Sequence, residues 1–332
     1  MASLIRDPFG DAVLMRRAYG GALVELGRAR KDLVVLSADV QSSDFSYLFE
    51  EAFPDRFFYV GIAEPSLVDC AAGLANSGKV PVANTFACFI ATRALEMVRT
   101  HLCYPDVNVK LAGAYAGLSD SFDGPTHHSI TDVAILRSLP RMTVVIPADS
   151  LAVAKLLPQI VDWKGPVYFR LCRNEVQQIY TAEYEPEIGR GIVLMDGDDV
   201  TIVACGVLVA RAIEAARVLA GEGIAARLVE MHTIKPLDGA LLERCARETG
   251  ALVTVEEHSK IGGLGGAVAE HLAETCPAPM ERVGVADRFA ESGPYADLLD
   301  KYGMSVKDIA EAARRAVARK AGAVLTTALE TA

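Results

Sequence analysis

Short β-branched runs alternate along this chain with longer stretches whose apolar residues recur at every third or fourth position. The short runs predict strands and the longer stretches predict amphipathic helices, so the alternation predicts βα units around mostly parallel sheets. In the first half, the predicted strands are Leu33–Ala38, Phe57–Gly61, Pro81–Phe86, Asn108–Ala114, Thr143–Pro147 and Val167–Leu171. The predicted helices between them are Asp11–Arg30, Ser66–Ser77, Cys88–Cys103, Thr131–Leu139 and Ser150–Asp162.

A polar, proline-containing stretch, Thr181–Gly191, interrupts this alternation and predicts a linker. A second βα series follows it, with predicted strands at residues 200–206, 226–231, 251–257 and 281–286. The helices predicted in this series are Val207–Ala220, a helix from Asp238, Gly265–Glu274 and Ser305–Ala321. The pattern therefore predicts an α/β protein with two parallel-sheet domains, at residues 1–185 and 192–332.

Composition limits the classes of partner. The chain has 332 residues, 51% of them hydrophobic, which is enough for two compact domains. Its net charge of −10 argues against nucleic acid and anionic membrane surfaces as partners. Seven cysteines without a Cys-x-x-Cys motif predict reduced thiols. Because Arg6, Asp7 and Pro8 stand where a signal peptide needs apolar residues, we expect a cytoplasmic protein.

One acid, Glu64, follows the predicted strand Phe57–Gly61 and precedes Pro65 at a predicted helix start. Ligands of α/β proteins bind at the carboxyl ends of core strands, so Glu64 is a candidate site residue. The alternative is an acid that is stabilised only by the helix dipole. In the functional interpretation, Ile62 and nearby aromatic residues shield the carboxyl, which then shares a proton with a heterocyclic nitrogen.

Two further segments carry candidate chemistry. Phe86 and Phe89 lie at a strand-to-helix junction and are either core residues or a stacking surface for a flat ring. The turn Asp123–His128 presents two imidazoles; adjacent histidines do not suit a metal site, so we expect no metal here and a proton-transfer role instead.

Residue type alone leaves the role of two basic features open, and a third feature, a glycine-rich segment, has a simpler structural explanation. Arg173, and Arg16 with Ser42–Ser43, fit either exposed polar positions or an anion site. The glycines of KIGGLGGAVAEHL lack the third glycine of a dinucleotide-binding motif, and a tight turn before a helix explains them.

Taken together, these segments resemble one family. GIAEPSLVDCAAGLA, NTFACFIATRALEMVR, DGPTHHSITDVAILRSLPRMTVVIPAD and GPVYFRLCRN resemble the pyrimidine-binding domain of the transketolases, which use thiamine diphosphate. VTIVACGVLVARAIEAARVL, ARLVEMHTIKPLD and VTVEEHSKIGGLGGAVAEHL resemble the carboxy-terminal domain of that family. The resemblance covers nearly the whole chain.

The resemblance implies a role for each matching residue. Glu64 would hydrogen-bond the aminopyrimidine ring, which Phe89 would stack upon and Phe86 would flank. His127 would contact the sugar hydroxyls and transfer protons, with His128 as a helper. The remaining implied contacts are Asp39 beside the thiazolium and donor hydroxyls, Ile62 beside the cofactor, and Arg16, Ser43, Tyr115 and Arg173 on the substrate side.

The chain departs from the family pattern on the substrate side. His128 stands where glutamine is common, Thr92 where tyrosine is common, and Tyr115 near a common histidine. These departures put the donor and acceptor sugars in question and leave the cofactor contacts intact.

The resemblance also shows what the chain lacks. A complete transketolase has a GDG…N segment that holds Mg²⁺ and the cofactor's diphosphate, and these 332 residues contain none. We therefore expect a separate diphosphate-binding subunit, in a heterotetramer with two copies of each chain. The implied reaction transfers a two-carbon ketol unit from a ketose, expected to be a phosphate, to an aldehyde. Alternatives are a 2-oxo acid dehydrogenase β component, a deoxyxylulose-phosphate-type synthase and a non-catalytic regulatory homologue.

Overall fold

The computed structural model describes residues 4–330, with side chains up to residue 322. Residues 331 and 332, the end of the second predicted domain, lie outside this part. The strands are β1 Ile5–Leu14, β2 Leu33–Ser37, β3 Phe57–Tyr59, β4 Val80–Phe86, β5 Lys110–Ala114, β6 Thr143–Val145, β7 Val167–Leu171, β8 Glu175–Tyr180, β9 Ile192–Met195, β10 Val200–Ala204, β11 Ala226–Glu230, β12 Thr233–Lys235, β13 Leu252–Ser259 and β14 Met280–Val285.

The helices are α1 Met15–Ala29, α2 Gln41–Asp44, α3 Tyr47–Ala52, α4 Glu64–Asn76, α5 Ala87–Ala91, α6 Leu95–Met97, α7 Asp132–Ser138, α8 Ser150–Asp162, α9 Leu208–Gly221, α10 Gly239–Thr249, α11 Leu264–Thr275, α12 Tyr295–Lys301 and α13 Val306–Glu330. A 3₁₀ turn at Pro54–Arg56 and a π-helical turn at Val98–Cys103 complete the set. Within the described part, no helix is both long and apolar enough to span a bilayer.

Two mainly parallel sheets organise the chain. The larger has seven strands in the order β12-β6-β7-β5-β4-β2-β3, and the smaller has five in the order β14-β13-β10-β11-β9. Only β12 and β9 run antiparallel to their neighbours in these sheets. Every residue of β2, β5, β7, β10 and β11 is buried, as sheets covered on both faces require. The predicted α/β class with parallel sheets is confirmed.

The first predicted helix begins four residues too early. Asp11–Leu14 belongs to β1, which pairs antiparallel with β8, another strand that the sequence pattern did not predict. Neither strand alternates polar and apolar residues regularly. Each is stabilised by a partner more than 150 residues away, a contact that local periodicity does not report.

The predicted helix Cys88–Cys103 is divided into α5, α6 and the π-helical turn. The break lies at Thr92, whose hydroxyl donates to the Cys88 carbonyl at 2.7 Å. Threonine side chains compete in this way with the backbone bonds of a helix. The break places Arg93 beside Glu64, where an unbroken helix was expected.

Two strands occupy unexpected positions in the seven-stranded sheet. Thr233–Lys235, from the second half of the chain, pairs with β6 and becomes one edge. Phe57–Tyr59, expected to be a core strand, forms the other edge and is half exposed. This aromatic run has only three residues, so its sequence pattern does not show whether other elements pack against one face of the strand or against both.

Candidate functional site

The candidate residues of the first half meet at one edge of the seven-stranded sheet. Glu64 begins α4 shortly after β3, Phe86 ends β4, Tyr115 follows β5 and Arg173 lies just beyond β7. These strands are parallel, and their carboxyl ends therefore lie on the same side of the sheet. This edge is where α/β folds bind ligands.

Glu64 is buried and only half satisfied. The residue is 2% exposed, and its Oε1 accepts a hydrogen bond from Arg93 Nη1 at 2.8 Å. Its Oε2 is also buried and has no hydrogen-bond partner among the described residues. A buried acceptor without a partner costs roughly 1–3 kcal/mol, so the structure favours a hydrogen-bonding ligand at this atom. Glu64 also opens α4, and the helix-dipole interpretation therefore holds as well.

Four rings form a continuous wall beside this carboxyl. Phe86 and Tyr115 stack with centroids 4.5 Å apart and an interplanar angle of 13°. Phe89 lies 6.0 Å from Phe86, and the His127 imidazole meets Phe89 edge-on at 5.4 Å. The arrangement combines flat apolar surfaces with one titratable ring, which suits a heteroaromatic ligand.

Tyr115 holds two arginines at the far end of the wall. Its backbone has φ of +58°, a conformation that is uncommon for an aromatic residue and typical of functional sites. The guanidinium carbons of Arg16 and Arg173 lie 5.0 and 4.8 Å from its ring centroid. Its hydroxyl accepts from Arg16 Nη1 at 3.3 Å.

The two arginines differ in their counter-charges. Arg173 forms an ion pair with Asp120 and a second, at 3.3 Å, with Asp123. Arg16 donates instead to the backbone carbonyls of Ser43 and Arg173. Within the part of the chain that the structure describes, no carboxylate forms an ion pair with Arg16. Arg16 is therefore better suited than Arg173 to bind an added anion, although burial lowers the pKa of its guanidinium.

The Asp123–His128 turn presents its two histidines differently. Gly124, with φ of +79°, accepts hydrogen bonds from the backbone N–H groups of His127 and His128 at 2.9 and 3.0 Å. His127 is half-buried on the aromatic wall, and its Nδ1 lies 3.0 Å from Thr126 Oγ1. His128 is 7% exposed, and neither ring nitrogen makes a well-formed hydrogen bond among the described residues, although the Asp120 backbone is close enough to act on its pKa. Burial lowers the pKa of His128, which favours the neutral imidazole.

The other predicted residues lie towards the surface. Asp39, at φ of +61°, is exposed and accepts from the Tyr59 hydroxyl. Ser43 is half-buried and contributes its carbonyl to Arg16. Ile62 was expected to shield Glu64, and this is wrong for the chain by itself, because Ile62 is 73% exposed. An isoleucine in a short loop carries no sequence signal that would show which way it points.

Two residues of the site were missed by the sequence analysis. Arg93 contacts Glu64, and its guanidinium carbon lies 4.1 Å from the Phe89 ring centroid. Its position four residues after Phe89 could have suggested this contact. Asp120 is paired with Arg173, and burial raises its pKa to about 6. No local pattern marked Asp120, because its partner lies 53 residues away.

Comparison with known proteins places this geometry in a family. The model of the transketolase pyrimidine-binding domain matches residues 11–178, and the model of the transketolase C-terminal domain matches residues 189–309. The chain belongs to the transketolase family, whose members depend on thiamine diphosphate, as the resemblance implied.

Two relatives of similar length are also named as transketolase chains. The chain is 42% identical over 300 residues to a protein of Methanocaldococcus jannaschii named as a transketolase C-terminal section, covering 90% of this chain and 94% of that one. It is 40% identical to the 6-deoxy-6-sulfo-D-fructose transketolase subunit SqwH of a Clostridium species, over 92% and 95% of the two chains.

A solved structure described as a split gene transketolase, inactive beta4 tetramer, superposes with a TM-score of 0.87. It is 48% identical in sequence, and the match covers 93% of this chain and 99% of that one. The similarity therefore extends through both sheets and includes the sheet edge that carries the candidate site.

Proposed function

We propose that this chain is the subunit of a two-component transketolase that carries the pyrimidine-binding and C-terminal domains. Joined to a diphosphate-binding partner, it transfers a two-carbon ketol unit from a ketose to an aldehyde. The observation that carries the proposal is the buried Glu64 carboxyl, with an unpartnered oxygen among the described residues, linked through Arg93 to the Phe89 ring of the aromatic wall. The relatives named as a subunit, a C-terminal section and a split-gene product support the division between two chains.

The residues at the sheet edge fit thiamine diphosphate. Glu64 Oε2 would bind a nitrogen of the aminopyrimidine, and the Phe89 face would carry the ring, with Phe86 beside it. Asp39 and Ile62 would contact the same cofactor from the exposed loops. When bound, this cofactor supplies a nucleophilic carbon and an electron sink.

The remaining side chains bind substrate and move protons. His127, half-buried on the wall, would exchange a proton with substrate hydroxyl oxygens, and the neutral His128 imidazole would donate or accept a second hydrogen bond. Arg16, with Ser43 and Tyr115 around it, would bind an anionic group at the far end of the ketose. Arg173 would orient Tyr115 and contact substrate from the same side.

An anionic ketose is the proposed donor. Arg16 forms no ion pair with a described carboxylate, since Asp44 acts on it only from beyond ion-pair distance, and a phosphate would provide a direct counter-charge. The Clostridium relative's name specifies a sulfonated sugar, which carries an anion of similar charge type. A sugar phosphate is therefore the first donor to assay.

The partner completes the assembly in this proposal. It would hold Mg²⁺ and the diphosphate, in a cytoplasmic heterotetramer with two copies of each chain, and this chain would divide into domains 1–185 and 192–332. All seven cysteines of the chain are free thiols, which supports a reducing compartment.

Substitution of Glu64 by Gln in the reconstituted complex tests the catalytic assignment. The amide keeps the size of the side chain but does not share an acidic proton, so we expect turnover on a ketose phosphate to fall by roughly 10²-fold or more. Glu96→Gln, an exposed acid paired with Arg99, is the matched control and should leave turnover unchanged. Unchanged turnover in Glu64→Gln would sink the proposal.

The alternatives predict other outcomes. A dehydrogenase β component or a deoxyxylulose-phosphate-type synthase would consume a 2-oxo acid, which an assay of oxo acid decarboxylation with a dye acceptor, or of pyruvate consumption, detects. A regulatory homologue would show no turnover in any complex.

A further inference from the structure

Arg93 contacts, within the chain itself, the two side chains proposed above to hold the cofactor's aminopyrimidine ring: Glu64, through Oε1 and not the free Oε2, and the face of Phe89. Its Nη1 donates to Glu64 Oε1 at 2.8 Å, and its guanidinium carbon lies 4.1 Å from the Phe89 ring centroid. A guanidinium is flat and delocalised, and it stacks on aromatic faces much as a heteroaromatic ring does. One planar group therefore covers the aromatic face and pairs with one oxygen of the acid, as the proposed ligand would, while Glu64 Oε2 stays without a partner among the described residues.

The same contacts oppose the proposed role of Glu64. The Glu64 carboxyl accepts a hydrogen bond from this guanidinium, whereas the proposed chemistry requires it to share a proton with a ring nitrogen. A guanidinium centred over Phe89 also covers the face on which a ring would stack. Arg93 in this position and a bound aminopyrimidine therefore compete.

The local structure allows Arg93 to leave. Its side chain is 49% exposed, whereas that of Glu64 is 2% exposed, so water is available to the guanidinium on its outer side. The residue lies in the break between α5 and α6, outside any regular helix.

We propose that Arg93 is a gate over the pyrimidine site, closed on Glu64 and Phe89 when no cofactor is bound and displaced towards solvent when the cofactor enters. This inference rests on the proposed function. The gate keeps Glu64 Oε1 paired in the empty site, and the cofactor must displace the guanidinium from the Phe89 face in order to stack there. The cofactor binds only when the gate is open, so the apparent affinity is the intrinsic affinity multiplied by the fraction of molecules whose gate is open.

Titration calorimetry on the reconstituted complex, with thiamine diphosphate and Mg²⁺, tests the gate directly. Arg93→Met replaces the arginine by an unbranched apolar side chain and so removes the competing guanidinium. We expect its dissociation constant to fall by about 3- to 10-fold, which corresponds to a gate that is open for roughly a tenth to a third of the time. The association rate should rise by a similar factor. Arg99→Met, an exposed arginine paired with Glu96 in the same segment, is the control and should change neither quantity.

Arg93→Lys is a second variant that keeps the charge and loses the planar stacking. Its affinity should lie between those of the wild type and Arg93→Met, and it keeps the test possible if the methionine variant does not fold. A crystal structure of the loaded complex should show the Arg93 side chain away from Phe89.

Several results would overturn the gate. If both variants bind the cofactor more weakly than the wild type, Arg93 is a cofactor contact, and if affinity is unchanged, Arg93 does not compete. In either case a wild type that binds thiamine diphosphate leaves the proposed function intact. If no variant, including the wild type, binds thiamine diphosphate, then the proposed function fails and the gate fails with it.

Discussion

At the scale of single residues, the His128 imidazole is buried although neither of its ring nitrogens makes a well-formed hydrogen bond among the described residues. Both ring nitrogens are buried, and this condition lowers stability by roughly 1–3 kcal/mol. We expect His128→Leu to keep or raise the unfolding temperature of the chain and to lower kcat of the complex by about tenfold or more. Calorimetric unfolding and steady-state kinetics measure the two effects.

His232 provides the matched comparison for this prediction. It is fully buried as well, but its Nε2 contacts the Glu187 carbonyl at 3.0 Å. His232→Leu leaves that carbonyl unpaired and should therefore destabilise the chain. Equal destabilisation by the two substitutions, with kcat unchanged in His128→Leu, would give His128 a structural role.

Residue types were predictable from the sequence, and their surroundings were not. Glu64 and Phe86 follow or end strands that periodicity locates, His127 lies in a glycine-proline turn, and the structure brings all three to one sheet edge. The pairing of Arg173 with Asp120 and of Glu64 with Arg93 depends on loop conformations and on a broken helix. Neither pairing follows from spacing, because the partners are 53 and 29 residues apart.

At the scale of elements, the Asp123–His128 turn depends on Gly124. A Cβ added there would lie 2.3 Å from Ser292 Oγ, and the residue has φ of +79°. Gly124→Ala should therefore combine a backbone cost of roughly 1–2 kcal/mol with a steric clash that displaces both histidines. We expect a lower unfolding temperature and a several-fold lower kcat/KM.

Two variants separate these causes. Gly303 has φ of +80° and nothing within 4 Å of an added Cβ, so Gly303→Ala reports the backbone cost alone. Adding Ser292→Ala to Gly124→Ala removes the clash and should restore kcat/KM towards the wild-type value. If kcat/KM of Gly124→Ala equals that of the wild type, the turn does not position the histidines.

Elements with a strong local pattern were located well, and the exceptions have tertiary causes. β7 and α8 begin and end at the predicted residues, because a short, largely apolar and aromatic strand and a helix capped by Asp149 are both local signals. β1, β8 and β12 were missed, since each exists through a distant antiparallel partner. The predicted boundary at residues 185–192 stays a prediction.

At the scale of the whole molecule, Glu257 links the two halves of the chain. It lies on β13, and its Oε1 accepts from the Leu118 N–H of the first half at 2.6 Å. Burial raises the pKa of Glu257 to about 7. In the unfolded chain the pKa is near the ordinary value of about 4.3, so the folded state binds more protons between these values.

The sign of the pH dependence follows from this difference. The stabilisation is complete below the unfolded pKa and is lost as pH rises through about 7, with a slope of at most ~1.4 kcal/mol per pH unit. We expect Glu257→Gln to reduce the fall in unfolding free energy between pH 5 and 8, measured by urea titration at each pH. Identical slopes for the two proteins would contradict the raised pKa. Glu274→Gln, an exposed acid, serves as the control.

β12 has a consequence for the synthesis of the chain. The seven-stranded sheet receives its last edge strand from residues 233–235, which leave the ribosome long after β6 and β7. Until then β6 presents unpaired backbone groups, which another strand can capture. A nascent chain, or a fragment that stops at the linker, is therefore more prone to aggregate than the complete chain. The sheet of the first half matures only when part of the second half has been made.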